Sequence, residues 1–577
     1  MRIFHADHKH TARSVFLGLL IFLIACAPTP LHSIPTSQPD PDTITGIVID
    51  EDGQPIKGAL VRVKTTQHYV ITDSEGNFKL EGLEDGKQIK VTVWAPGYFI
   101  GGGDVIMPGT TNVVIVLHKH HDTDNPDYAW LSSIFHSGEG ENQGCSECHS
   151  NVGAGLSFSL PVDEWLLDAH AQSAQNPRFL SMYSGTDLDG NQSPLTRYVN
   201  SKDYGLLPLL PDESQSYYGP GYKLDFPNSA GNCAACHTPL AAVGNAYGVD
   251  PTVLSDIEKE GVSCDFCHKV WDVELDTQTG MPNPNMPGVL SYSFLRPYEG
   301  HQFFAGPLDD VAPGEDTYSH LQQQSQFCAP CHFGVFWDTV VYNSFGEWMN
   351  SPYSNPEKGM TCQDCHMPPT GATLFALPEV GGEERDPKTI YSHYMPGAMD
   401  KTLLQNAVSV TVSVEQPANQ IIVNVNIMND NTGHHVPTDS PLRQLLLLVE
   451  AKGDNGELLE LIEGSTIPEW GGVGDPKEGY YAGLPGKGYA KILEEIWTGI
   501  SPSGAYWNPT RVLSDNRIAA YEEDSSSYVF APLSEGAVNI TIRLLFRRAF
   551  IDLMELKKWD TPDILMYQKN VTINIEP

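Results

Sequence analysis

The chain has few basic residues, few long apolar runs and little helical periodicity. In 577 residues, 34 Lys+Arg stand against 72 Asp+Glu, a formal net charge of −38. Phosphate backbones need a basic face, so this composition excludes nucleic acid as a partner. The one long apolar run, Val15 to Ala25, is shorter than the roughly 20 residues that a membrane-spanning helix requires. Disorder is excluded too, because 40% of the residues are apolar and 10% aromatic. The length predicts about three or four domains, each able to bury a core. Cysteine is the informative residue: there are 11, an odd number that leaves one over in any scheme of pairs.

The first 26 residues account for the odd cysteine. Arg2, Lys9 and Arg13 precede the apolar run, which closes with Leu23-Ile24-Ala25-Cys26. This resembles a bacterial lipoprotein signal, which implies acylation of Cys26 as the first mature residue, the alternative being an uncleaved anchor helix. Either places the chain outside the cytoplasm, lipid-anchored to the membrane by the resemblance. Removal of residues 1–25 leaves 31 basic and 71 acidic residues, a balance of −40. Residues 27–43 carry Pro28, Pro30, Pro35, Pro39 and Pro41 among Ser, Thr and Asp, the composition of an extended tether.

Residues 44–117 change to short alternating apolar runs broken by turn signals, as in Ile47-Val48-Ile49, Asp52-Gly53 and Leu60-Val61-Arg62-Val63. The string from Thr45 to Val63, with Thr72 to Phe78 and Ala95 to Tyr98, resembles the carboxypeptidase-regulatory-like β-sandwich. The resemblance implies a spacer or a binding surface. His118, His120 and His121 at its exit read as a solvated linker, with metal binding as the alternative.

The other ten cysteines form five C-x-x-C pairs, each followed at once by histidine: Cys145/Cys148/His149, Cys233/Cys236/His237, Cys264/Cys267/His268, Cys328/Cys331/His332 and Cys362/Cys365/His366. With 20 histidines in the chain, chance would place all five followers about once in twenty million. Two thiols three positions apart form thioethers to one edge of a porphyrin, and the next residue sets an imidazole under the iron. Zinc knuckles need pairing and five cannot be paired. Thioredoxin-like disulfides occur singly within a βαβ pattern that is absent here. The expected cofactors are therefore five covalent haem c groups, the five motif histidines being proximal ligands.

The sixth iron position decides between carrier and catalyst. His170, His301, His393, His434 and His136 are the candidate distal ligands, with His320 and His435 as alternates and Met182, Met367 and Met395 as further possibilities. His170 follows a helix-like start and Asn176-Pro177 ends it. His301 and His393 share a histidine, aromatic, glycine context, and Gly433-His434-His435-Val-Pro437 is a loop fixed by proline.

With these motifs, and the phrases from His170 to Phe179, Glu260 to His268, Phe327 to His332 and Thr432 to Thr438, the chain resembles the multihaem c-type cytochromes. The likeness is to the branch of the tetrahaem carriers of ammonia oxidisers and of the octahaem hydroxylamine-oxidising and tetrathionate-reducing enzymes. It implies haems packed as a chain, mostly with two histidines per iron. No C-x-x-C-K occurs, so the lysine-ligated site of pentahaem nitrite reductases is missing, and there are three motifs fewer than in the octahaem enzymes.

The expected architecture is multidomain: an N-terminal β-sandwich (44–117), a central haem-packed multihaem cytochrome region with short helices and loops (118–400), and a C-terminal β-sandwich (401–577) supplying the His434 loop. Strands are expected where Val408, Val410, Val412 and Val414, then Ile421, Val423, Val425 and Ile427, then Val538, Ile540, Ile542 and Leu544 alternate with polar residues, and a helix near Leu545 to Leu556. The acidic stretch Asp515 to Asp524 reads as a solvated face, with calcium binding as the alternative. The functional expectation is electron transfer with redox partners that dock through a basic face at a salt-sensitive rate. The alternatives are an oxidoreductase acting on a small nitrogen or sulfur compound at a five-coordinate haem, and a surface assembly or adhesion protein.

Overall fold

The computed structural model describes residues 40–134, 144–417, 420–531 and 535–575. The leader with Cys26, nearly all of the Pro-rich segment, and His136 lie outside the described residues. The chain is β-rich, and among the described residues its eleven α-helices are short, the longest being Pro177–Ser184. Among the described residues no helix is long and apolar enough to cross a membrane.

The period-two pattern of residues 44–117 builds two facing sheets. One has Ile44–Asp50 at its centre, antiparallel to Asn77–Leu80 and parallel to Val113–Leu117. The other runs in the order Tyr69–Ile71, Leu60–Val63, Ile89–Trp94, Gly101–Ile106. Ile44, Val48, Val61, Leu80, Val93 and Leu117 point between the sheets and are fully buried. Gly76 turns at φ 76°, and a Cβ there would lie 2.6 Å from the Val48 carbonyl, so only glycine closes this turn.

This sandwich is docked and not merely tethered. The Arg62 guanidinium makes a two-pronged ion pair with Asp309 at 2.6 and 2.8 Å. Lys64 and Lys90 converge on Glu383 at 3.0 and 2.6 Å. Trp94 Nε1 donates to Thr317 Oγ1 at 3.0 Å, and the Ile100 N–H to the Asp316 carbonyl at 2.9 Å. The exit segment is also not the solvated linker expected. His120 and His121 pack against Phe303, and His120 against Trp271, because the apolar pocket between the two regions takes their rings.

Residues 401–575 form a second sandwich. Its sheets run Ser409–Glu415, Ile421–Met428, Glu523–Phe530, Leu461–Glu463 and Gly486–Tyr489, Gln444–Gly453, Gly536–Arg547, Ile564–Ile575. Ile421, Val423, Val425 and Ile427 are buried, as are Val538, Ile540, Ile542 and Leu544. Val410, Val412 and Val414 are only half-buried, since their strand lies at an edge. One expectation needs correction. Leu545 and Phe546 continue a strand, and the helix is only Ile551–Leu556, because both faces of the strand end are covered by separate apolar clusters. The acids bounding 515–524 are paired: Asp515 with Arg517 at 2.8 Å and Asp524 with Lys487 at 2.5 Å.

Between the sandwiches the chain forms short helices, turns and two-stranded pairs, with small apolar clusters. They surround a cavity of about 2330 Å³.

Candidate functional site

Each C-x-x-C-H motif folds as one turn. Helices span Ser146–His149, Ala234–His237, Cys264–Lys269 and Cys362–His366, while Cys328 to His332 is a plain turn. In such a turn, positions i, i+3 and i+4 share a face, which brings both thiols and the imidazole to one side. Local capping fixes two of these turns: Ser263 accepts from the Phe266 N–H, and Thr361 and Asp364 form a reciprocal box. All ten cysteines and all five motif histidines line the one cavity, together with His170, His320, His393, His434 and His435.

Among the described residues no two of the ten cysteines are joined by a disulfide. Burial pushes Cys233 and Cys267 up to about 12, so both stay protonated at neutral pH. Thiols of different motifs lie side by side: Cys145 beside Cys264, Cys236 beside Cys331, and Cys328 beside Cys362. The motifs thus neighbour one another out of sequence order.

The histidines show how a ring is aimed. Nδ1 donates to a backbone carbonyl in His149 (Phe375, 2.7 Å), His268 (Ala305, 2.8 Å) and His366 (Pro396, 2.8 Å). A carbonyl only accepts, so the proton sits on Nδ1 and the Nε2 lone pair is left for a metal. His434 (His435, 3.0 Å) and His393 (Tyr391, 3.2 Å) are held the same way, and His170 by buried Asp168 at 2.7 Å. Burial pulls His393 and His237 down to about 4, which keeps both neutral. Burial acts alike on His170, but Asp168 outweighs it and the net shift is upward.

Two cross-chain histidine pairs stand at one separation: His170 to His332 and His366 to His434, each 6.3 Å between ring centres. His393 lies near His268 and, next, His149. His237 instead stacks its face on Phe179 at 3.9 Å, and among the described residues its Nδ1 has no partner. The His434 loop is pinned from the C-terminal sandwich. Asn429 Nδ2 and Thr432 Oγ1 both donate to the His434 carbonyl at 2.8 Å, and Glu347, paired with Arg517 at 2.8 Å, accepts from the His435 N–H.

His301 is exposed and does not line the cavity, and His320 is exposed at its edge beside Tyr318. His435 has its Nδ1 3.6 Å from Glu347. Met182 is buried in a cluster with Tyr183 and Trp559 and lines the cavity, as do Met367 and Met395. Sequence reasoning missed the lining arginines Arg178, Arg385, Arg443 and Arg548, which carry no local motif. It also missed that His120 and His121 keep buried Nε2 atoms without a partner among the described residues; their placement between aromatic rings has no signal in the sequence. No three His, Cys, Asp or Glu side chains converge as a metal cage among the described residues.

No curated protein matches the chain. Among solved structures it is similar to a penta-heme cytochrome c552 from Thermochromatium tepidum, at 17% identity and TM-score 0.49, covering 74% of this chain and 98% of that one. A PapD-like domain of human CEP192 aligns at 8% identity and TM-score 0.12, over 30% of this chain and 84% of that domain. Residues 43–117 match the family model of the carboxypeptidase regulatory-like domain, and the N-terminal sandwich is such a domain.

Proposed function

We propose that the chain is a lipid-anchored, extracytoplasmic pentahaem c-type cytochrome that relays electrons between redox partners. The observation that carries this reading is the 6.3 Å separation of His170 from His332 and of His366 from His434. Two imidazoles on opposite sides of one metal, with bonds of about 2.0–2.1 Å and ring centres about 1.1 Å behind each nitrogen, stand roughly 6.3 Å apart. A pair of imidazoles, and not three or four converging groups, suits an iron whose other positions a porphyrin fills. The cavity supports it too: at about 2330 Å³ it exceeds the roughly 300–1,000 Å³ of a single-ligand site, and every motif faces it.

In this reading the ten thiols fix the porphyrins, and His149, His237, His268, His332 and His366 hold the irons. His170 and His434 face His332 and His366, and His393 faces His268. When bound, haem supplies one-electron chemistry. The protein's own part is to aim each Nε2 through its Nδ1 bond, to keep the thiols in register and to exclude water. The thiol contacts place the first motif beside the third, and the fourth beside both the second and the fifth. The sequence around Cys26 supports the lipid anchor, and the net charge supports partners with a basic docking face.

A haemochrome assay of the exported protein tests the count, with five haems per chain expected; fewer than five in fully processed protein sinks the reading. A second reading, an oxidoreductase of small nitrogen or sulfur compounds, is favoured by His237, which among the described residues faces no second histidine ring. Paramagnetic resonance separates the two: solely low-spin ferric signals support the carrier, and one high-spin haem in five supports the enzyme.

A further inference from the structure

Four arginines stand on the cavity wall: Arg178, Arg385, Arg443 and Arg548. Two have carboxylate partners, Arg385 with Asp310 at 3.1 Å and Arg443 with Asp439 at 3.6 Å. The other two have none among the described residues. Arg178 lies 5.4 Å above the Trp559 ring and donates to Thr561 Oγ1. Arg548 has no polar partner among the described residues, although its neighbour Arg547 is fully engaged by Asp563 at 2.8 Å. Both guanidiniums are half-buried. Burial and the nearby Arg178 and Arg443 cations push Arg548 down to about 10.

Like charges near one another on a half-buried wall repel, and an anion between or beside them relieves that repulsion. Among the described residues neither Arg178 nor Arg548 has a carboxylate partner. The site is also located: Arg178 precedes Phe179, which stacks on His237, and the cluster containing Trp559, Met182 and Tyr183 packs against Cys233.

We propose that Arg178 and Arg548 form a seat for a carboxylate or related small oxyanion beside the Cys233–His237 motif. The guanidinium fork matches such groups two-pronged. One source is a haem propionate, which rests on the cytochrome reading; the other is a free oxyanion entering the cavity. The density of apolar wall around the pair, Phe179, Trp559 and Met182, favours the propionate, which arrives attached to an apolar ring.

The test uses the full-length holoprotein with R178Q, R548Q and R548K, the haem count being taken first. For a propionate, potentiometric titration shows one couple of five shifted to lower potential in R178Q and in R548Q, with R548K close to the parent and nitrite or sulfite without effect on the spectrum. For a free oxyanion, nitrite or sulfite perturbs the parent's haem spectrum with an affinity that falls at least tenfold in R548Q, and the couples measured without it do not move. Unmoved couples together with no anion effect, at five haems per chain, overturn the proposal while leaving the cytochrome reading intact. If the protein holds no haem, the cytochrome reading falls and thermal stabilisation by sulfite decides the anion seat: a rise lost in R178Q supports it, and no rise overturns it. Should R548Q not accumulate, R178Q carries the same expectation.

Discussion

The two sandwiches and the region between them are built on opposite principles. In the sandwiches, alternate side chains meet across two sheets and exclude water by themselves, as Ile44, Val61 and Leu80 do in one and Val423, Leu445 and Ile542 in the other. The central region has small clusters around a large cavity, and its sulfurs and imidazoles face inward. On the proposed reading the central region depends on the haems it would hold, whereas the sandwiches depend on their own side chains. This difference can be broken or sharpened experimentally.

The largest effect is expected from removing one pair of thiols. The C264A/C267A protein should lose one haem, falling from five to four per chain, and the central region should be open to protease while fragments spanning the N-terminal sandwich survive. Uniform digestion of both regions would contradict the contrast. Next, Leu80→Ala in the fully buried sandwich core should cost about 2–5 kcal/mol of that domain's stability with the haem count unchanged; denaturant titration followed by fluorescence and by haem absorbance reads the two regions separately. A coincident loss of both signals would show that they unfold as one unit.

Smaller effects belong to the seam. Arg62→Ala removes a charge-assisted pair to Asp309 and should weaken docking by about 1.5–3 kcal/mol, seen as a calorimetric transition splitting in two. A single unmoved transition would mean that the seam is held elsewhere. The smallest concerns Glu383. Burial alone would raise its carboxyl, but Lys90 and Lys64 outweigh that and hold it below the ordinary value. A lowered carboxyl stabilises the folded state at pH above its unfolded value, and that stability is lost as pH falls through the folded value. Because Lys90 is exposed, the gain is at most about 1 kcal/mol. Glu383→Gln should therefore lower stability at neutral pH by up to that amount, flatten the acid limb of the stability profile between about pH 5 and 3, and leave the profile below about pH 3 nearly unchanged; an acid limb identical to the parent's would rule this out.

The same contrast governs what can be read from residues alone. Ile421 to Ile427 announces its strand because burial on one face imposes a period of two. Leu545 to Leu556 does not, since a strand end covered on both faces is a continuous apolar run, which period cannot tell from helix. The motifs are legible because the thiols and imidazole act within one turn. The approach of His170 to His332, or of His366 to His434, joins residues far apart in the chain and leaves no local trace. The packed His120 and His121 escaped for the same reason: their surroundings come from Trp271 and Phe303.

The parallel pairing of Ile44–Asp50 with Val113–Leu117 has a mechanical consequence. The chain enters the sandwich at one end of this pair and leaves at the other, toward the cavity. A pull between whatever precedes Ile44 and the rest of the protein therefore runs along the strands, and the five registered pairs from Gly46 with Val113 to Asp50 with Leu117 bear it together in shear. Peeling would load them one at a time. The sandwich is thus arranged as a force-bearing coupling, stiffest in the direction in which an anchor would strain it.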